Sequence, residues 1–148
     1  MKYQLPVFLL GQVTQETYER WLRRKAQAHI KRDRQRGNET AIGEEYRDAI
    51  HAAVVESGGC DAYTGEKLDW SLISRYDNDE SKENGRRYKK VFALLPTVDH
   101  VGDGTVSADF KICGWRTNDA KNDLDLTDFL LVCRGVLEHH GYVVTRLR

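Results

Sequence analysis

The chain has 148 residues, 40% apolar and 31% charged, with 23 basic side chains against 23 acidic ones. That length suits one domain with one core rather than two, and the composition is that of an ordinary soluble globular protein. Zero net charge excludes a uniformly basic nucleic-acid binder, no apolar run approaches the roughly 20 residues that cross a bilayer, and three widely spaced cysteines exclude a disulfide framework or a four-cysteine zinc ribbon.

The first segment, MKYQLPVFLLGQ, has one Lys and an apolar stretch too short for a secretory signal. A cytoplasmic protein with no membrane association is expected. Residues 3–10 read as a short strand, with Pro6 favouring an edge position. Thr14 is placed to cap a helix over about 15–36. The core side of that helix is Tyr18, Trp21, Leu22, Ala26 and Ile30, at helical spacing. Gly37 would stop it. Thr40 would cap a second helix to about Ser57, with Ile42, Tyr46, Ala49, Ile50, Ala53 and Val54 as its core stripe and Gly58-Gly59 at its end.

The segment DNDESKENGRR (77–87) is polar and turn-rich and reads as an exposed loop. The run YKKVFALLPTVDH (88–100) reads as extended chain interrupted at Pro96. Gly102 and Gly104 mark a turn, and Phe110–Cys113 a second short strand. A helix begins near Thr117. Another runs from about Thr127 to His140, with Phe129, Leu130, Cys133, Val136 and Leu137 on one side, and the tail YVVTRLR reads as a short strand. The helices around 40–57 and 127–140 are expected to carry most of the core.

Residues 97–122 carry the chemistry. Asp99 offers a hard oxygen ligand for a divalent cation. His100 can take a proton near neutral pH. Neighbours on a strand point to opposite faces, so the two converge only if the Gly-Asp-Gly turn bends the backbone there. Asn118 and Asn122 are four apart and would share one helix face, where their amide oxygens could meet the same ion as Asp99. One ion beside one imidazole suffices for phosphodiester hydrolysis.

The series TVDH–DFKIC–TNDAKN resembles the strand–strand–helix metal finger of the HNH, or ββα-metal, nucleases. In that family an Asp-His pair ends the first strand, an Asn lies at the second, a His or Asn opens the helix, and a Lys follows three residues later. Asp99-His100 matches the pair, and Asn118 with Lys121 matches the helix residues. The upstream CDAYTGEKL (60–68) is similar to the Cys-x-x-Tyr-Thr-Gly segment before many such fingers. The resemblance covers about 60–125.

It implies His100 as general base, Asp99 and Asn118 as metal ligands with Asn122 a third, and Lys121 as either a phosphate contact or a helix brace. One place departs from the family: Asp109 stands where the middle Asn is expected. An Asp there accepts hydrogen bonds but cannot donate them. Its charge would draw positive charge onto His100 and alter the pH dependence, or Asp109 would join the metal shell and count among the catalytic residues. The paired cysteines of zinc-containing relatives are also missing, so packing through Phe110, Ile112 and Trp115 must hold the finger.

Plainer roles compete at each position. His100 could be an ordinary strand-end histidine, Asn118 a helix cap, and Asn122 a surface residue. His139 and His140 suit the dipole of a helix end, and the cysteines suit buried thiols. The helix over 20–36 holds Arg20, Arg23, Arg24, Lys25, Lys31, Arg32, Arg34 and Arg36, with Asp33 the only acid. A charge run is usually a solvated face, yet this one is dense and one-signed in a neutral chain. Arg20, Arg23, Arg24, Lys25, Lys31 and Arg32, with Lys121, are therefore the candidate phosphate contacts.

The reading is an α+β domain over 1–148. It comprises a basic helical part at 14–58, an HNH-like ββα-metal core at 60–125, and a closing helix and tail at 126–148. The expected activity is DNA endonuclease, using magnesium or manganese, with zinc or nickel also accepted by a one-histidine site. The alternative is a non-catalytic nucleic-acid-binding module on a degenerate finger. A toxin with a neutralising partner is disfavoured by the neutral charge. Whether the chain forms a homodimer is left open.

Overall fold

The computed structural model describes residues 1–102, 105 and 107–148. The fold is α+β. Among the described residues it holds six α-helices and one small antiparallel sheet of two strands. None of these helices is long and apolar enough to cross a membrane. The chain divides into two compact units, Met1–Asn118 and Asp119–Arg148.

In the first unit, α1 (Gln15–Gln35) starts where the Thr14 side chain accepts the Thr17 N–H at 3.1 Å. It buries Tyr18, Trp21, Leu22, Ala26 and Ile30, the expected stripe. It also buries His29 and Asp33, which that stripe does not include. Residues 3–10 form no strand. Val7–Leu9 is a turn of 3₁₀ helix that buries Leu9. The Gln15 side chain bonds the backbone of Leu5 and Tyr3, giving this segment the partners that a neighbouring strand would have supplied.

Helix α2 (Gly43–Ser57) begins later than expected. Thr40 is not its cap, because its backbone N–H and hydroxyl are both turned to the Asn38 amide oxygen, at 3.2 and 3.0 Å. Its buried face is Tyr46, Ile50, Ala53 and Val54, and Gly58 ends it in the left-handed conformation.

The segment expected to be a loop is mostly helical: α3 (Asn78–Asn84) and α4 (Arg86–Val91). The Asp77 carboxylate caps α3 by accepting from Asp79 and Glu80. Helix α3 buries no residue, so no apolar periodicity marked it in the sequence. Strands β1 (Pro96–His100) and β2 (Phe110–Gly114) pair with Val98 opposite Ile112 and His100 opposite Phe110. Pro96 opens β1 rather than breaking it, since a first strand position has no ladder bond to lose. Gly104 of the expected turn lies outside the described residues.

Helix α5 (Trp115–Lys121) follows β2 without a break. The Trp115 and Arg116 N–H groups, its first two, donate to Leu95 and Ala93 carbonyls at 2.9 and 3.1 Å. The core is drawn from α1, α2, residues 68–73 and 88–98, and β2.

In the second unit, α6 (Leu126–His139) is capped by Asp125. It buries no residue, and Leu130, Leu131, Val132 and Val136 are exposed. The expectation that this helix carries much of the core is therefore wrong. Tyr88, Phe92, Leu95 and Val98 join the core instead, from a stretch read as extended chain whose first part, through Val91, is helical. No strand occurs in the tail.

Gly114 joins the hairpin to α5 at a point with no room for a side chain. A Cβ there would lie 3.0 Å from the Ala93 carbonyl oxygen and 3.5 Å from the Asp61 carboxylate. Gly114→Ala should therefore lower the unfolding free energy by about 1–3 kcal/mol, read as a fall in urea midpoint. An unchanged midpoint would show that the junction yields.

Candidate functional site

Asp99 and His100 end β1 in regular ladder register, opposite Lys111 and Phe110, and the Val101 N–H extends the ladder to the Asp109 carbonyl at 2.9 Å. With no bend between them, strand geometry sends the two side chains to opposite faces. The convergence expected of a bent backbone does not occur. Asp99 meets Tyr63, and His100 meets Asp33.

On the first face, Asp99 is buried, and the Tyr63 hydroxyl donates to its Oδ2 at 2.5 Å. Burial, the hydrogen bond and the Asp99 charge push the Tyr63 phenol well above its usual range. Tyr63 thus stays protonated and acts as a donor to the carboxylate. Tyr63 is held in turn by Asp61, which is 3% exposed. Asp61 Oδ1 accepts the Tyr63 and Thr64 N–H groups at 2.8 and 3.0 Å, and Oδ2 accepts the Gly114 N–H at 2.8 Å. One carboxylate thus fastens the 60–65 segment to the start of α5 and aims Tyr63 at Asp99. Both Asp61 oxygens are thus satisfied by backbone N–H groups.

On the second face, His100 Nε2 lies 3.0 Å from Asp33 Oδ2. Asp33 is 1% exposed and projects from α1, while the Tyr46 hydroxyl of α2 donates to the same oxygen. In the tautomer whose Nε2–H donates to Asp33, the ring lone pair is on Nδ1. His100 Nδ1 and Asp33 Oδ1 are buried and have no partner among the described residues. The His100 ring packs edge-on against Phe110 at 5.0 Å and tilted to His29 at 6.0 Å.

His29 Nε2 is 3.2 Å from the Val98 carbonyl oxygen, so it donates there. Burial first, then Arg32, His100 and Lys25, lowers its pKa from 6.5 to about 4. Helix α1 thereby lines β1 with Lys25, His29 and Asp33, each four residues apart. Lys25 Nζ lies 3.3 Å from Thr97 Oγ1.

The remaining expected residues fall as follows. Asp109 is exposed just before β2. The carboxylate at His100 is Asp33 instead, brought from 67 residues away by the docking of α1. Asn118 is half-buried within α5 and is not its cap, because the helix already begins at Trp115. Asn122 does not share its face. Helix α5 ends at Lys121, and Asn122 turns out with φ of 51°. The Lys121 side chain is buried and donates to the Leu124 carbonyl at 2.5 Å, an arrangement that suits the brace.

Compared with known proteins, the chain matches no family model, no curated protein and no solved structure. Among the described residues, no three His, Cys, Asp or Glu side chains form a metal-binding group. Of the expected metal ligands, Asp99 is a buried carboxylate on β1 and Asn118 a half-buried amide on α5.

On α1, Arg23, Arg24, Lys31 and Arg32 are exposed, whereas Arg20 pairs with Glu16 at 2.7 Å. Lys25 is half-buried, and burial together with Arg24 and Arg32 lowers its pKa to about 8. Sequence reading missed Asp33, Tyr46, His29 and Asp61. For the α1 pair, one signal was available: polar residues at i, i+4 and i+8 directly flanking an apolar stripe, with the only acid of a basic run at the end.

The His29 shift has a defined sign. From pH 6.5 down to about 4 the unfolded chain binds a proton that the native chain does not. The His29 contribution is therefore complete above pH 6.5 and is lost as pH falls toward 4. Between pH 7 and pH 5 we expect a loss of about 2 kcal/mol. His29→Gln keeps a donor for Val98 without titrating, so its urea midpoint should fall much less over that range. Equal falls in both proteins would place the proton uptake elsewhere.

Proposed function

We propose that this chain is a metal-dependent endonuclease of the HNH kind that hydrolyses phosphodiester bonds in DNA. The observation that carries the reading is the hairpin β1–β2 running directly into α5. Asp99-His100 closes its first strand, Asn118 rides on the helix, and His100 is held by a buried carboxylate.

In this reading, Asp33 fixes the tautomer and orientation of His100, as the acid of a catalytic triad does for its histidine. His100 Nδ1 takes the proton of the attacking water. Tyr63 and the Asp61 clasp keep the Asp99 carboxylate aimed. Because Asp99 and His100 leave β1 on opposite faces, the reading requires the phosphodiester to lie across the strand end. A divalent cation, magnesium or manganese, would be held on one side by Asp99 and Asn118 and would offset charge on the phosphorane and the leaving oxygen, with His100 on the other side. The exposed Arg23, Arg24, Lys31 and Arg32 hold the phosphate backbone without reading sequence.

A second reading has its own observation. The His100 side chain is only 9% exposed, and its Nδ1 is enclosed. A non-catalytic nucleic-acid-binding module would have the same buried pair as a structural tie.

Incubation with supercoiled plasmid and magnesium or manganese, beside EDTA, separates the two. The nuclease nicks or linearises DNA only with metal. His100→Ala should lower the rate at least about hundredfold, with DNA affinity unchanged. Asp33→Asn, which can accept or donate and so permits the wrong tautomer, should also slow cleavage. DNA bound at low salt but never cut under any of these metals would establish the binding module.

A further inference from the structure

Beside the Asp99–His100 hairpin, within the first unit, lies a cleft of about 320 Å³. That volume is at the lower end of the range for small-molecule sites. It is lined by the aromatic rings of Trp21, Tyr76 and Trp115 and by Arg24 and Lys25 beside Thr97. Tyr76 and Trp115 are both half-buried. They meet at 5.7 Å with their planes 83° apart, so the two rings form a corner rather than a closed stack. Among the described residues, no Asp or Glu lines the cleft. In a chain with zero net charge, an aromatic corner with two cations and no acid selects one kind of ligand: a flat ring joined to an anion.

We propose that this cleft binds a single nucleotide, its base stacked in the Tyr76–Trp115 corner and its phosphate on Arg24 and Lys25. Stacking on aromatic side chains tolerates any base, in keeping with the absence of a base-reading motif. The half-buried Lys25 ammonium, whose own hydrogen bond is to the neutral Thr97 hydroxyl, gains an opposite charge when the phosphate arrives. The same chemistry could come from a free nucleotide or from an unpaired nucleotide in a strand. The strand source rests on the nucleic-acid reading above and adds to it a preference for single-stranded or frayed DNA.

The test is fluorescence titration of the full chain in EDTA, where no cleavage occurs. The ligands are a 5′-mononucleotide, a ten-nucleotide single strand, its blunt duplex and inorganic phosphate. Ala28→Trp fills the cleft from an exposed helix position, and Lys25→Met removes its inner cation. Circular dichroism verifies that both variants fold.

We expect the single strand to bind about tenfold tighter than the duplex, and each variant to remove about tenfold of that affinity. Duplex affinity should change little in Ala28→Trp. A mononucleotide binding as tightly as the strand, and lost in the same variants, supports the cleft and assigns it to free nucleotides. Equal single-strand and duplex affinities, both indifferent to Ala28→Trp, would overturn the proposal, as would inorganic phosphate competing as well as the mononucleotide. Failure of plasmid cleavage with these binding results intact would refute the nuclease alone. Cleavage that persists with an idle cleft would refute the cleft alone.

Discussion

The contact between α1 and β1 is the constraint on which the rest depends. Lys25, His29 and Asp33 lie four residues apart on one edge of the helix and reach Thr97, the Val98 carbonyl and His100 in the same order. The spacing matches. Eight residues of helix rise about 12 Å, and three residues of strand about 10 Å, so the two elements can run side by side with each polar group opposite its partner. A buried polar seam of this kind tolerates little slippage, because a shift of one helical turn would strand Asp33 in the apolar core.

Several features follow from that alignment. The helix that carries the exposed cations is locked against the strand that ends in Asp99 and His100, so any phosphate backbone on α1 runs past the hairpin. The Tyr46 hydroxyl on Asp33 extends the seam to α2, tying three elements to one carboxylate. The Lys25 end of the seam lines the aromatic cleft. The cation face, the histidine and the cleft are therefore successive stations along one helix.

The opposite side of the hairpin is organised by a different carboxylate. Asp61 gathers three backbone N–H groups from two segments and positions Tyr63 on Asp99. The close approach at Gly114 is what allows it. The two strand-end residues are thus supported separately, Asp99 through the 60–65 segment and His100 through α1. Each of the two depends on side chains more than 30 residues away in sequence.

Much was legible in the chain alone. Apolar spacing marked the buried faces of α1 and α2, because one-sided burial imposes a period that survives in sequence, and short apolar runs around Val98 and Ile112 marked both strands. Helix α3 left no such trace, since it buries nothing and its stability lies in the Asp77 cap. Helix α6 gave the reverse error: its apolar stripe is real, but a stripe says only that a face is apolar and not what covers it. The motif around Asp99, His100 and Asn118 was visible as a spacing. Which carboxylate meets His100 was not, because Asp109 is near in sequence whereas Asp33 is near only after α1 has docked. The sequence by itself determined which residues could bear charge, stack or bury. Tertiary structure alone decided their partners, because a hydrogen bond needs a donor and acceptor within about 3 Å, and only the packing of distant elements brings them there.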